Sequence, residues 1–255
     1  MNGETCLMAK LAAAARTAIR GGSFSCELPA YVEELSFRFL PKRRLFRRME
    51  RTAASPAEWF ALCRGDGLRD VLLLIRTRKD RRELLGFANT TPVSIAALYR
   101  DGSVRYWTGR WDFDAESGKW RVVYSEHPWQ NAPKGSPSFE DNTEAFRGSL
   151  VEIERLADEL GAGDFAQVFR EARAILDGAA AERCPDGALR ALPAKNLALY
   201  LAASKADVFG AMGSWNDTPA YLAGEMGREE EYGRVSDELL RQCCLAVMYA
   251  LNQWD

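Results

Sequence analysis

Between Ser94 and Ser125 the chain alternates apolar and polar residues across two turn signals, a pattern that only an antiparallel meander accommodates well. Asp101-Gly102 is a two-residue hairpin signal, because glycine enters the left-handed backbone region without a side-chain penalty. Taking it as the turn pairs Tyr99 with Val104 and Ala97 with Tyr106. Ala115 to Gly118 forms the second turn and pairs Phe113 with Trp120, Trp111 with Val122 and Gly109 with Tyr124. The same register sets Asp114 opposite Lys119 and Asp112 opposite Arg121. One face then carries Trp107, Trp111, Phe113, Trp120 and Tyr124, and the other carries matched charges. A one-residue slip would scramble both faces, so the segregation argues for the register. The charged face in turn predicts burial of the aromatic one.

Around this meander the first half reads as further α+β structure. Leu7, Leu11, Ala14, Ala15, Ala18 and Ile19 recur at helical spacing over residues 4–20, and Gly21-Gly22 stops the helix. Leu35, Phe37 and Phe39 alternate with polar residues as a strand. Ser55-Pro56-Ala57-Glu58 predicts a helix start, with Ser55 as N-cap, Pro56 at the first position and Glu58 closing a capping box. Val71 to Ile75 is a continuous apolar run and reads as a buried strand. Glu126 to Thr143 is rich in proline and glycine and reads as a loop dividing a sheet-containing region, 1–135, from a helical region, 136–255, with the option of one shared core.

After that loop the periodicity is helical. Phe146, Leu150, Ile153, Leu156 and Leu160 mark one stripe, and Phe165, Val168, Phe169, Ala172 and Leu176 mark the next, with Asp164 as its cap. Leu197, Tyr200, Leu201 and Val208 mark a third, and residues 228–253 a last. The fold class is therefore α+β: an N-terminal antiparallel sheet with flanking helices, then a bundle of about four helices.

The local code changes most abruptly at Gly210–Asp217. Two glycines allow a tight turn, and Trp215 stands among Ser214, Asn216 and Asp217. Functionally, Trp215 offers a stacking platform with three hydrogen-bonding neighbours. Structurally, Trp215 anchors a corner, with Asp217 or Thr218 capping the next helix, and this second reading has the greater weight. The chain resembles bacterial proteins that end in similar helices around a Gly-Ser-Trp-Asn-Asp corner, a resemblance that implies no activity.

Other motifs fail on their own terms. Asp112-x-Asp114-x-Glu116 lacks the glycine and the terminal glutamate of a calcium loop. Gly161-x-Gly163-x-x-Ala166 follows a helix rather than a strand, which excludes a dinucleotide fingerprint. His127 is the single histidine, so a multi-histidine metal site is excluded and no cofactor is expected. Six cysteines include no C-x-x-C pair and read as buried apolar residues of a reducing compartment, which predicts a cytoplasmic protein. No apolar run is long enough for a membrane span.

Two basic runs, Lys42–Arg51 and Arg76–Arg82, are interleaved with Glu50, Asp80 and Glu83, so solvated faces or an acidic protein partner outrank nucleic acid. Met248, Tyr249 and Trp254 would permit a helix-mediated homodimer, with core packing the simpler account. The expectation is a non-enzymatic binding or interaction protein taking a protein partner or a small ligand. The alternatives are an enzyme using carboxylates at the Gly210–Asp217 corner, with Asp207 and Glu225 nearby, and a nucleic-acid binder using the arginine runs.

Overall fold

The structure, a computed structural model, describes residues 1–44, 47–77, 93–130, 132, 137–179, 187–210 and 213–254, and gives the backbone alone for the strands at 42–44 and 47–49. Arg78 to Arg82, Cys184, Ala211 and Met212 lie outside the described residues. The element order is α1 (Gly3–Ile19), β1 (Val32–Arg38), β2 (Lys42–Arg44), β3 (Arg47–Met49), β4 (Thr52–Ala53), α2 (Pro56–Gly65) and β5 (Leu68–Ile75). There follow β6 (Val93–Tyr99), β7 (Val104–Asp114) and β8 (Lys119–Pro128), then α3 (Thr143–Glu159), α4 (Gly163–Leu176), α5 (Ala194–Ala206), α6 (Thr218–Glu225) and α7 (Glu229–Asn252). The α+β class with a C-terminal helical cluster is as the sequence predicts.

Six strands form one sheet in the order β4-β1-β8-β7-β6-β5. It is mostly antiparallel, but β1 runs parallel to β8, with Leu35 beside Val122 and Phe37 beside Tyr124. An all-antiparallel sheet was the expectation; β1 departs from it because no hairpin joins it to β8, so packing rather than turn geometry sets its direction. The second meander turn has the expected register, with Phe113 opposite Trp120, Trp111 opposite Val122 and Gly109 opposite Tyr124. The first is off by one: Leu98 faces Val104 and Ala96 faces Tyr106. The cause is a three-residue loop, Arg100-Asp101-Gly102, closed by Tyr99 N–H to the Ser103 carbonyl at 3.0 Å. Gly102 takes φ +82° at the left-handed position such a loop needs. This slip puts Tyr106 on the face of Ala96 and Leu98 rather than that of Ala97 and Tyr99.

The two faces differ. On one, Trp59 of α2 stacks on Phe37 at 5.3 Å and meets Trp107 edge-on at 5.9 Å, and α1 and α7 complete the cover. Phe113 does not join this core; it is 57% exposed at the sheet tip, against Trp120. The matched charges of the other face also re-pair, Arg121 with Asp114 and Glu33, and Arg110 with Asp112. Such exposed pairs contribute about 0–1 kcal/mol each. The second face has its own small cluster of Leu72, Ala96 and Leu98, with Val104, Trp129 and Phe139 packed on it.

Helix α1 is buried on nearly every side, from Leu7 to Arg16 apart from Lys10. Its alanines let the sheet and the C-terminal helices approach closely, and buried residues of both halves form one hydrophobic cluster. Glu126, expected at the start of a loop, lies inside β8, which continues to Pro128. Asp164 does not cap α4: the N-cap is Ala162, with no side-chain bond, and Asp164 sits in the first turn. Ser55 does cap α2, its hydroxyl accepting from Glu58 N–H at 3.2 Å, while Glu58 reaches back to Ala54 N–H at 2.8 Å, one residue before the expected box.

Strand β5 is an edge of the sheet, and α7 closes it. Asn252 accepts from Leu73 N–H at 2.8 Å and donates to the Leu73 carbonyl at 2.7 Å, so one side-chain amide replaces a neighbouring strand. Arg16 donates to the Val71 carbonyl at 2.9 Å, and Met248 packs against Ile75 N–H. These groups occupy the positions that make open edges prone to pairing.

Candidate functional site

Ser214–Asp217 fold as a tight corner between α5 and α6. Trp215 is 0% exposed. Its ring stacks on Tyr232 at 5.6 Å and receives Phe165 and Phe169 edge-on at 5.3 and 5.4 Å. Its Nε1–H donates to the Ser236 hydroxyl at 2.7 Å, and Tyr232 O–H donates to its carbonyl at 2.7 Å. Trp215 therefore presents no stacking face to solvent. Asp217 holds the N-cap position of α6 but makes no cap bond to it. Its carboxylate instead accepts from Ser214 N–H at 2.9 Å, while the Ser214 hydroxyl accepts from Asn216 N–H at 3.2 Å. The side chains of Ser214 and Asp217 thus bond to backbone N–H groups of the corner itself. Asp207 lies 3.8 Å from the Met1 amino group, and Glu225 is exposed at the end of α6.

An open concavity of about 660 Å³ lies elsewhere, on the second face of the sheet. Tyr106, Thr108, Ser94, Trp129, Gln130 and Arg76 line it. The pairing of Tyr106 with His127 and of Thr108 with Ser125 puts these side chains on one face. Tyr106 stacks on His127 at 5.0 Å and meets Trp129 edge-on at 6.3 Å. Thr108 Oγ1 lies 3.0 Å from His127 Nε2, which fixes the imidazole behind the tyrosine. The result is a rigid aromatic wall beside a set of hydroxyl and amide groups, the usual composition of a small-molecule seat. A hydroxyl against an imidazole is also the arrangement of an activated nucleophile. Here the hydroxyl is a mid-strand threonine, and among the described residues no third group orients the ring. His127, expected in a loop, thus lies on β8 as part of this wall. A smaller concavity of about 270 Å³ lies between Arg16, Arg20, Asp70 and Trp254. Its arginines are engaged: Arg16 with Asp70 at 3.0 Å, and Arg20 over the Trp254 ring at 4.6 Å. Ser214–Asp217 line neither space.

The sequence also gave no warning of a buried ionic cluster at the end of the core face. Glu126, with its side chain 0% exposed, accepts from Leu40 N–H at 2.8 Å and from Arg105 at 3.1 Å. Arg105 lies 3.6 Å from Asp66, which binds Arg51 through both oxygens at 2.9 and 3.0 Å. Tyr99 O–H sits 3.4 Å from Glu126, and burial drives its pKa upward. Each ion of the cluster has a counter-ion, so its chemistry is internal pairing.

The five described cysteines are free, Cys63 and Cys243 buried and Cys6, Cys26 and Cys244 half-buried. Burial pushes the thiols of Cys26 up to about 11 and of Cys63 and Cys244 up to about 12, and raises those of Cys6 and Cys243 as well. Only the thiolate reacts, so these five are expected to stay unlabelled by iodoacetamide at about pH 8 in the native protein and to label in urea. Peptide mass spectrometry reads this directly, and native labelling of Cys63 would contradict its burial. Among the described residues no group of three or more His, Cys, Asp or Glu is placed to hold a metal ion, and no helix is long and apolar enough to cross a membrane. No protein-family model matches the chain, and comparison with curated proteins and with solved structures returns no match.

Proposed function

We propose that this chain is a non-enzymatic binding protein that takes a flat aromatic small molecule on the outer face of its sheet. The observation that carries the reading is the wall of Tyr106, His127 and Trp129 beside the 660 Å³ concavity. Half-exposed aromatic rings held in place by strand pairing supply stacking area at little conformational cost. The volume suits a ligand of one to three fused rings. The unpaired thiols support a reducing compartment, and we place the protein in the cytoplasm on that ground.

The test is a titration of the full chain with a panel of planar arenes, followed by calorimetry and Trp fluorescence. Stacking on one aromatic side chain contributes about 1–3 kcal/mol, so Tyr106→Ala and Trp129→Ala are each expected to weaken binding roughly tenfold or more. Binding indifferent to both substitutions, or turnover of the bound compound, would overturn the reading.

A further inference from the structure

We infer that the ligand of the sheet-face concavity carries an anionic group, held by Arg76 while its rings lie on Tyr106 and Trp129. This rests on the reading of that concavity as the ligand seat. Of the described lining residues, Arg76 alone is charged. It lies just beyond β5, exposed, and among the described residues it forms no ion pair. The remaining polar lining, the hydroxyls of Ser94, Thr108 and Tyr106 and the amide of Gln130, can donate as well as accept, so it tolerates an anion beside Arg76. Among the described residues no carboxylate lines the space to receive a cationic ligand. A guanidinium presents a planar fork of N–H donors that matches a carboxylate or sulfonate bidentately. A flat arene bearing one such group satisfies both halves of the lining: the rings cover the aromatic wall, and the anion receives the fork and the neighbouring hydroxyls.

The experiment compares three probes of one shape on the full chain by calorimetry: 2-naphthoate, its neutral amide, and the cationic 2-naphthylmethylammonium. The naphthoate is expected to bind about tenfold tighter than the amide, the size of a charge-assisted hydrogen bond, and the cation weakest. Arg76→Gln should cost naphthoate far more affinity than it costs the amide and bring the two to nearly equal values. Molar salt should narrow the gap in the wild type but not in the variant. Arg76 is exposed, so the variant is expected to fold, which its unchanged Tm would verify. Equal binding of naphthoate and amide, or a preference that survives Arg76→Gln, refutes the inference and leaves the aromatic seat standing. Binding by none of the three probes removes the seat and the inference together.

Discussion

Replacing Trp215 by alanine should lower stability by about 3–5 kcal/mol, the usual loss for a large aromatic residue removed from a packed core. For a chain of this size, that corresponds to a fall in Tm of roughly 6–20 °C. The reason lies in how much the ring does at once. It fills the space between Phe165, Phe169 and Tyr232, and its Nε1–H answers the hydroxyl of Ser236, which is 0% exposed. Trp215→Phe separates the two contributions. It keeps most of the apolar volume and leaves the Ser236 hydroxyl without its donor, at a cost of about 1–3 kcal/mol. Urea unfolding of both variants, monitored by circular dichroism, gives the two numbers. A loss below about 1 kcal/mol for Trp215→Ala would mean that the corner is not part of the core. In the same variants, ligand affinity at the sheet face is expected to stay at the wild-type value, because no residue of the corner lines that concavity.

Glu126→Ala is expected to cost about 3–4 kcal/mol, near the low end for removing one member of a buried ion pair. The low end applies because Arg105 is 21% exposed at its side chain and keeps Asp66 at 3.6 Å. What is lost is the nearer of two counter-ions of Arg105 and the acceptor of Leu40 N–H, so a guanidinium keeps only Asp66 and a backbone donor loses its partner. Glu126→Gln keeps the shape and an acceptor for Leu40 but removes the charge, and should cost about half as much. Thermal unfolding of the two variants tests this; equal losses would show that the charge of Glu126 contributes nothing.

Local patterns made parts of this structure readable in advance and left others invisible. The Asp114–Gly118 turn has its expected register because the hairpin is closed by the residues that signal it. Asp101-Gly102 marks a turn just as clearly, but a glycine in left-handed geometry serves a two-residue and a three-residue loop equally well. That ambiguity of one residue decides which β6 side chains share a face with Tyr106. The Tyr106–His127 pairing follows from the Asp114–Gly118 register, but His127 and Trp129 beside Pro128 read as loop sequence, so the pattern does not assemble the wall. Glu126, two residues before Pro128, looks like loop sequence; its pairing with Trp107 on β7 and its contacts with Leu40 N–H and Arg105, which have no local signature, make it interior. At Trp215 the pattern exposed an abrupt corner without saying which way the ring turns. The deciding partners, Phe165, Phe169 and Tyr232, come from two other helices.

The amide of Asn252 that seals β5 also sets a timetable for biosynthesis. Leu73 and Asn252 are separated by 179 residues. At roughly 5–20 residues per second, translation takes on the order of 10–40 s to travel from one to the other. In the later part of that interval every strand of the sheet, the last ending at Pro128, can already have left the ribosome while the β5 margin lacks its stopper. The nascent chain is thus most exposed to adding a foreign strand between the emergence of β8 and that of α7, and α7 is the element that ends the danger.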